Sequence, residues 1–461
     1  MSNFLRVVLI AAVLVGFAAC GGAAADGEFV FDWDAENLFY DQNLTMASAW
    51  AHTALGSIIR EHRQTTPGVT LVGNGSIFRD DFEAARLQAG MEIMAGTAPV
   101  LIGADLVDHL NPLTITNFAD WLPIMRSDPR FNEDEWFMEA LHALSVDGRL
   151  IAFPGSISYE YVVTNSSVPG LVDAVGNRDT ISMTDMMELY NTFNADGSFY
   201  LMRRFDVLFA VESAIGRFFD FETGYVNFNN QYFINFITAA RSMTGPARVF
   251  GDRATYPWVD NDNIREVDAQ ASNTYLFMLT TPFHIHHFGA FDEEFVFTNP
   301  LLFANEDGQV LIRPSYGRAF LLNASATTDE KALAWDFIRV MFNPQYENRV
   351  AHIFLHPVNN QWLRSQAGRE LMVPINRLYP VIRGWRPLGD AAFLTDTLLQ
   401  NYDRMASMPL ASAVYAPDTV KAAVYEILEQ FHNGLITAEA AANDLQNRIT
   451  LMMMEMGAIS R

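Results

Sequence analysis

The chain has 461 residues, a formal net charge of −24, and a composition that is one half hydrophobic. A chain of this length usually divides into two domains or lobes, because one hydrophobic core stops growing at roughly 250–300 residues. The strong negative charge argues against a nucleic-acid partner, since phosphate backbones would repel it. Cys20 is the only cysteine, which excludes an internal disulfide and a cysteine-rich zinc site.

Residues 1–19 have the pattern of a secretory signal peptide. Arg6 precedes an apolar segment at 7–17, which is too short for an ordinary membrane-spanning helix. The segment ends in Phe17-Ala18-Ala19-Cys20, which resembles a bacterial lipobox except that Leu is more usual at the first position. We expect Cys20 to be lipidated and residues 20–42 to be a tether, the alternative being an accidental cysteine.

Three strand-and-helix units open the remaining chain. Strands are predicted at 44–50 and 69–72 and helices at 53–63 and 79–94, followed by a third apolar run at 99–103. This order favours a mostly parallel sheet with helices on its faces. Because ligands lie at the carboxyl ends of strands in such sheets, the candidate ligand-binding residues here are Trp50, His52, Asn74, Ser76 and Asp105.

Residues 147–165 are the central feature of the sequence, because their pattern predicts a strand, an interruption and another strand. The apolar run at 150–153 ends at Pro154 and Gly155, and a second strand-like run covers 159–164. Pro154 removes a hydrogen-bond donor from the ladder and Gly155 relaxes the backbone. The pattern predicts that the chain leaves one sheet here and enters another.

Helices and short strands alternate in the rest of the chain. The predicted strands are at 274–279 and 319–322, and the predicted helices are at 132–145, 183–193, 205–219, 230–243 and 328–342. The last hundred residues are predicted to be mainly helical.

Five motifs occur in a characteristic order, at 94–99, 148–154 with Asn165, 220–228, 331–342 and 438–450. Together they resemble the family 1 extracellular solute-binding proteins of bacteria, the carbohydrate-binding lipoproteins of ABC importers that include maltose-binding protein. One departure is Val100, where that family usually has Asp.

The resemblance implies an α/β fold of the periplasmic-binding-protein type II, in which two α/β lobes are joined by a hinge of three crossings. The crossings would fall near 154–160, 315–319 and 371–376. It also implies a monomer outside the cytoplasmic membrane or in the periplasm, which closes over its solute and delivers it to ABC permease subunits. The implied lobes are residues 43–154 plus 320–372 and residues 155–319 plus 373–461.

A sugar ligand would need flat aromatic rings for stacking and carboxylate, amide or hydroxyl groups for hydrogen bonding. Trp50 and Trp258 are the favoured platforms, each with ordinary packing as its alternative. On the resemblance, a polar contact is also expected just past the first crossing. The further candidates are therefore Ser158, Tyr159, Tyr316, Trp385 and Tyr415.

The histidine-rich stretch at 284–287 allows a second interpretation, because acidic residues follow it at 292–294. Strand alternation would place His284 and His286 on one face, a workable spacing for metal ligands. We predict a loop at the ligand cleft instead, with His284 as a ligand contact and neither metal nor cofactor.

No catalytic motif occurs, so an enzyme is not predicted. The alternatives left open are a receptor for a polyamine, peptide or metal ion, a surface lipoprotein for sensing or adhesion, and a secreted glycosidase.

Overall fold

The structure is a computed structural model, and it describes residues 29–34, 39, 43–47, 62, 70–73, 82–202, 205–243, 275–280, 301–314, 319–341, 356–357, 400 and 403–457. Predictions for residues elsewhere, including the signal peptide, the lipidation of Cys20 and the crossing at 371–376, lie outside these ranges.

Strands and helices are numbered in chain order within the described residues. The strands are β1 Asn43–Ala47, β2 Thr70–Gly73, β3 Leu101–Gly103, β4 Ala152–Pro154, β5 Ser156–Tyr159, β6 Tyr161–Thr164, β7 Thr180–Ile181, β8 Tyr200–Met202, β9 Phe219–Asp220, β10 Tyr225–Val226, β11 Tyr275–Thr280, β12 Leu301–Phe303, β13 Val310–Pro314, β14 Ala319–Leu322, β15 His356–Pro357 and β16 Leu410–Ser412. The helices are α1 Phe82–Ala95, α2 Pro112–Ile115, α3 Trp121–Ser127, α4 Met138–Ala143, α5 Leu171–Val175, α6 Met183–Phe193, α7 Val207–Ser213, α8 Gln231–Ser242, α9 Thr328–Met341, α10 Asp418–His432 and α11 Ala438–Glu455.

The first sheet has the order β2-β1-β3-β14-β4. Strand β1 runs parallel to β2 and β3, whereas β14 is antiparallel to β3 and β4. Along β14, successive side chains point to opposite faces: Phe320 belongs to one buried cluster and Leu321 to another. Helix α1 covers the second face with Ala85, Ala89 and Ile93, which share one side of a helix. The predicted parallel strands and the helix predicted at 79–94 are confirmed, whereas the helix predicted at 53–63 falls almost entirely outside the described residues.

The crossing predicted around Pro154 is confirmed, and it involves an additional sheet. Strand β4 lies in the first sheet, β5 in a linking sheet of order β15-β5-β13-β16, and β6 in a second large sheet. Only Gly155 separates β4 from β5, and only Glu160 separates β5 from β6. The chain returns from β13 in the linking sheet to β14 in the first sheet, across residues 315–318.

The second large sheet has the order β7-β12-β6-β11-β8 and is packed with helices into a separate core. Helix α10 supplies Val420, Val424 and Ile427, and α11 supplies Leu445 and Ile449. We call the first sheet with its packed helices the first lobe, and the second sheet with α5–α8, α10 and α11 the second lobe. No helix in the described part of the chain has the length and apolar character needed to cross a membrane.

Two predicted helices are shorter than expected. The helix predicted at 132–145 is a 3-10 turn at Glu133–Glu135 followed by α4, with Trp136 and Phe137 both buried between them. Neighbouring residues on a helix point about 100° apart, so an extended step allows both aromatic rings to reach the core. Of the helix predicted at 205–219, only α7 is α-helical, and a 3-10 turn then leads to β9.

Candidate ligand-binding site between the two lobes

Asp105 lies two residues after β3, at the carboxyl end of the parallel strands of the first sheet. Both of its carboxylate oxygens are buried, and no side chain among the described residues donates a hydrogen bond to either of them. Burial raises the pKa of Asp105 to about 6, although its neighbouring backbone N–H groups and Arg86 oppose the shift. Buried polar groups in proteins are nearly always hydrogen-bonded. An unpartnered carboxylate at this edge of the sheet is therefore available to accept hydrogen bonds from a ligand.

Asp108, in the same loop, makes a hydrogen bond to the second lobe. Its Oδ2 accepts the backbone N–H of Asp418, the first residue of α10, at 3.0 Å. The N-cap residue of that helix, Pro417, provides no side-chain acceptor. Burial, followed by the charge of Asp418, raises the pKa of Asp108 to about 6. A carboxyl group of the first lobe thus caps a helix of the second.

Arg86 provides a second link across the same boundary. Its Nη2 lies 2.8 Å from Oδ2 of Asp418, and Nζ of Lys421 lies 3.2 Å from the other oxygen of that carboxylate. Burial favours the neutral form of Asp418, but Lys421 and Arg86 outweigh it and hold the pKa of Asp418 below its usual range. Asp418 is therefore ionised at neutral pH and bound from both sides.

His109 is buried beside this group. Burial and the nearby charge of Lys421 lower its pKa to about 4, so the imidazole is neutral at pH 7. Within the described residues, no group of three or more His, Cys, Asp or Glu side chains has an arrangement that could hold a metal ion.

The remaining described candidates lie on the linking sheet and beyond it. Ser158 is partly exposed on β5. Tyr159 is 1% exposed and packs in the first core with its ring 5.5 Å from that of Tyr161. Tyr415 lies three residues before α10 and packs its ring edge-on against Phe219 at 6.2 Å. The candidates outside the described residues are Cys20, Trp50, His52, Asn74, Ser76, Trp258, His284, Tyr316 and Trp385.

The structure therefore places Asp105 in the loop whose Asp108 contacts the second lobe. It adds three residues that the sequence pattern did not indicate: Arg86, Asp108 and Asp418. Two signals were present. Asp108 follows Asp105 in the same strand-end loop, and Pro417 leaves the start of α10 without one of the usual N-cap side chains.

The sequence matches no protein-family model, and no curated protein matches it. The structure matches many solved structures. One is the sugar-binding protein MalE from Xanthomonas citri, with a TM-score of 0.57 and 12% identity, over 90% of this chain and 98% of that chain. Another is a family 1 extracellular solute-binding protein from Alicyclobacillus acidocaldarius, with a TM-score of 0.55 and 11% identity, over 89% and 98%.

A third is an ABC substrate-binding protein from Listeria monocytogenes in complex with cycloalternan, with a TM-score of 0.51 and 14% identity, over 90% of this chain and 99% of that chain. The chain has the fold of the family 1 extracellular solute-binding proteins. The likeness covers nearly the whole of each matched protein, so both lobes and the linking strands belong to the shared architecture. The predicted fold, two α/β lobes of the type II arrangement, is confirmed.

Proposed function

We propose that the protein is a lipid-anchored receptor of an ABC importer, which captures a sugar or oligosaccharide between its lobes and delivers it to the permease. The observation that carries this proposal is Asp105, whose buried carboxylate oxygens have no side-chain partner among the described residues and lie at the strand end where ligands bind in such sheets. The sugar-binding protein and the cycloalternan complex with the same fold support a carbohydrate as the solute. The receptor binds and releases its solute without catalysis.

The chemistry of Asp105 suits a sugar. With a pKa of about 6, its carboxyl group is mostly ionised at pH 7 and accepts hydrogen bonds from hydroxyl groups. Hydrogen bonds to a charged group contribute about 1.5–3 kcal/mol each. Lobe closure around the solute follows from contacts that exist only in the closed form.

A saccharide screen tests the proposal. The melting temperature of the protein is measured with maltose, longer malto-oligosaccharides, cyclic oligosaccharides and xylo-oligosaccharides at pH 7.5. A saccharide that raises the melting temperature of the wild type, but not of Asp105→Asn, supports the proposal. The control is Asp134→Asn, which removes the same charge from an exposed residue. If none of the saccharides stabilises the wild type and another class of solute does, the sugar assignment is wrong.

The anchor is a separate part of the proposal. The signal pattern at 1–19 and the position of Cys20 directly after it support lipidation at the outer face of the cytoplasmic membrane. Acyl chains on Cys20 would hold the protein, which we propose to be a monomer, at that surface. Metabolic labelling with a clickable fatty acid should mark the wild type and leave Cys20→Ser unlabelled. Equal labelling of both proteins would contradict the anchor.

The limits of the two lobes are also proposed, as residues 43–154 plus 320–372 and residues 155–319 plus 373–461. Strands β4 and β14 in one sheet, and β6 and β11 in another, support this division.

A cationic solute such as a polyamine is the second candidate. It is favoured by the same unpartnered carboxylate of Asp105, which would bind an ammonium group as readily as a hydroxyl group. Calorimetric titration with spermidine distinguishes the two. Binding of spermidine that is lost in Asp105→Asn, without binding of any saccharide, would favour the cationic solute.

A further inference from the structure

The two lobes are joined away from the linking sheet by contacts to the first turn of α10. Asp418 belongs to this turn. Its N–H donates to Asp108, and its carboxylate pairs with Arg86 at 2.8 Å. The helix itself is fixed in the second core through Val420 and Ala423, whereas Arg86 lies on α1, whose buried residues belong to the first lobe. Any motion that separates the lobes here must break both contacts.

Of the two contacts, the one from Asp108 replaces a missing helix cap. The first N–H groups of a helix have no partner within it and are usually satisfied by a Ser, Thr, Asp or Asn side chain at the N-cap. Pro417 occupies that position and has no such group. Asp108 supplies the acceptor, but only while the lobes are together, so closure and helix capping are the same event.

We propose that Asp108 is a proton-sensitive latch, which holds the lobes closed by capping α10 and holds them more firmly when it binds a proton. Asp108 is a positioning residue in this role, since it sets the closed state without needing to contact the solute. The inference rests on the lobe closure of the proposed function and does not depend on which solute is bound.

The sign of the proton effect follows from the groups around Asp108. On α10 it faces Asp418 and Lys421, on α1 it faces Arg86, and its own loop contains Asp105 and His109. Burial and the Asp418 charge raise its pKa from 3.8 to about 6 while the two lobes are in contact. Opening returns the carboxyl group to water and its pKa towards 3.8, so the closed form binds the proton more tightly and acid favours closure.

The neighbouring groups also titrate. Asp105 has its pKa raised in the same direction, whereas His109 and Asp418 have their pKa values lowered and oppose closure in acid. The contribution of Asp108 to the pH dependence of closure is therefore measured as the difference in that dependence between the wild type and Asp108→Asn. Asparagine retains an oxygen acceptor for the Asp418 N–H and does not titrate. Asp108→Ala removes the acceptor.

Pulsed electron paramagnetic resonance on the full chain without added solute tests the latch. Spin labels are placed on cysteines introduced by Met94→Cys on α1 and Leu451→Cys on α11, both exposed in the wild type, in a Cys20→Ser background. The populations of short and long label distances give the closing equilibrium at pH 5 and pH 8. From the pKa change, lowering the pH from 8 to 5 should favour closure by about threefold to tenfold more in the wild type than in Asp108→Asn.

Asp108→Ala should close less than Asp108→Asn at both pH values, because the Asp418 N–H loses its acceptor, and the control Asp134→Asn should follow the wild type. The latch is refuted if Asp108→Asn keeps the full pH dependence, if Asp108→Ala closes as well as Asp108→Asn, or if one distance is found at every pH. A failure of all saccharides to bind would overturn the proposed function and would leave these populations unchanged.

Discussion

Replacing Asp105 by asparagine should stabilise the protein at neutral pH while weakening its binding of solute. In the wild type, burial raises the pKa of this carboxyl group from 3.8 to about 6. A group whose folded pKa is raised contributes stability in acid, and that contribution is lost as the pH rises from about 4 to about 6. At pH 7.5 the Asp105 carboxylate is therefore charged in both states, but it is buried in the folded protein and surrounded by water in the unfolded chain.

The size of the effect follows from the pKa. The rise in the pKa of Asp105 from 3.8 to about 6 corresponds to about 3 kcal/mol of stability. Partial screening by solvent reduces this to about 1–3 kcal/mol. Asparagine has no charge to bury, so Asp105→Asn should be more stable than the wild type by this amount at pH 7.5 and equally stable at pH 4. Loss of the ionised acceptor should weaken saccharide binding about tenfold to one hundredfold.

Urea denaturation at pH 4 and pH 7.5, followed by tryptophan fluorescence, measures the stability difference. Calorimetric titration at pH 7.5 with the stabilising saccharide measures the binding. The exposed control Asp134→Asn should change neither. If Asp105→Asn is less stable than the wild type to the same extent at both pH values, the carboxylate has a structural partner and the reasoning is refuted.

Three further predictions concern stability and are each measured as urea midpoints against the wild type. Asp128 is buried and accepts hydrogen bonds from Nε of Arg130 at 2.7 Å and from Nε1 of Trp335 at 3.0 Å. Asp128→Ala should therefore lower the free energy of unfolding by about 3–5 kcal/mol. Glu133→Ala, which removes an exposed partner of Arg126, should lower it by less than about 1 kcal/mol. Equal losses would contradict the difference in burial. Gly90→Ala should stabilise α1 by about 0.5–1 kcal/mol, because nothing lies within 4 Å of the added Cβ. Gly148→Ala should destabilise the protein by about 1–2 kcal/mol, because Gly148 has a φ of +73°. A stability change of the same sign for both variants would contradict this reasoning. Ser182→Ala should cost about 1–2 kcal/mol, because Ser182 forms a capping box with Asp185 at the start of α6, and a neutral result would show that another group replaces the cap.

The order of the elements could be predicted from the sequence because it is encoded locally. The apolar run before Pro154, the proline itself and the strand-like run after it are adjacent in the chain, and they correspond to the change of sheet from β4 to β6. Helix α9 follows a 3.6-residue apolar period and α6 begins at the N-cap Ser182, and both features are local in the sequence. Consecutive buried aromatic residues, as at Trp136 and Phe137, mislead such patterns, since tertiary packing overrides helix propensity.

The candidate site was only partly predictable. Asp105 could be selected because it follows a strand of a parallel sheet. The partner of Asp108 could not, since Asp418 lies 310 residues further along the chain and no local pattern records which distant segments meet. The aromatic platforms predicted at Trp50 and Trp258 lie outside the described residues and stay predictions.

The central claim is that two lobes close over a carbohydrate, and small-angle X-ray scattering tests it most directly. The radius of gyration is measured at pH 7.5 with and without the saccharide that stabilises the protein, and with spermidine as the cationic comparison. We predict a smaller radius with the saccharide in the wild type, and the same decrease in Asp105→Asn only at a saccharide concentration about tenfold to one hundredfold higher. An unchanged radius for the wild type with every saccharide, together with a decrease on adding spermidine, would contradict the claim.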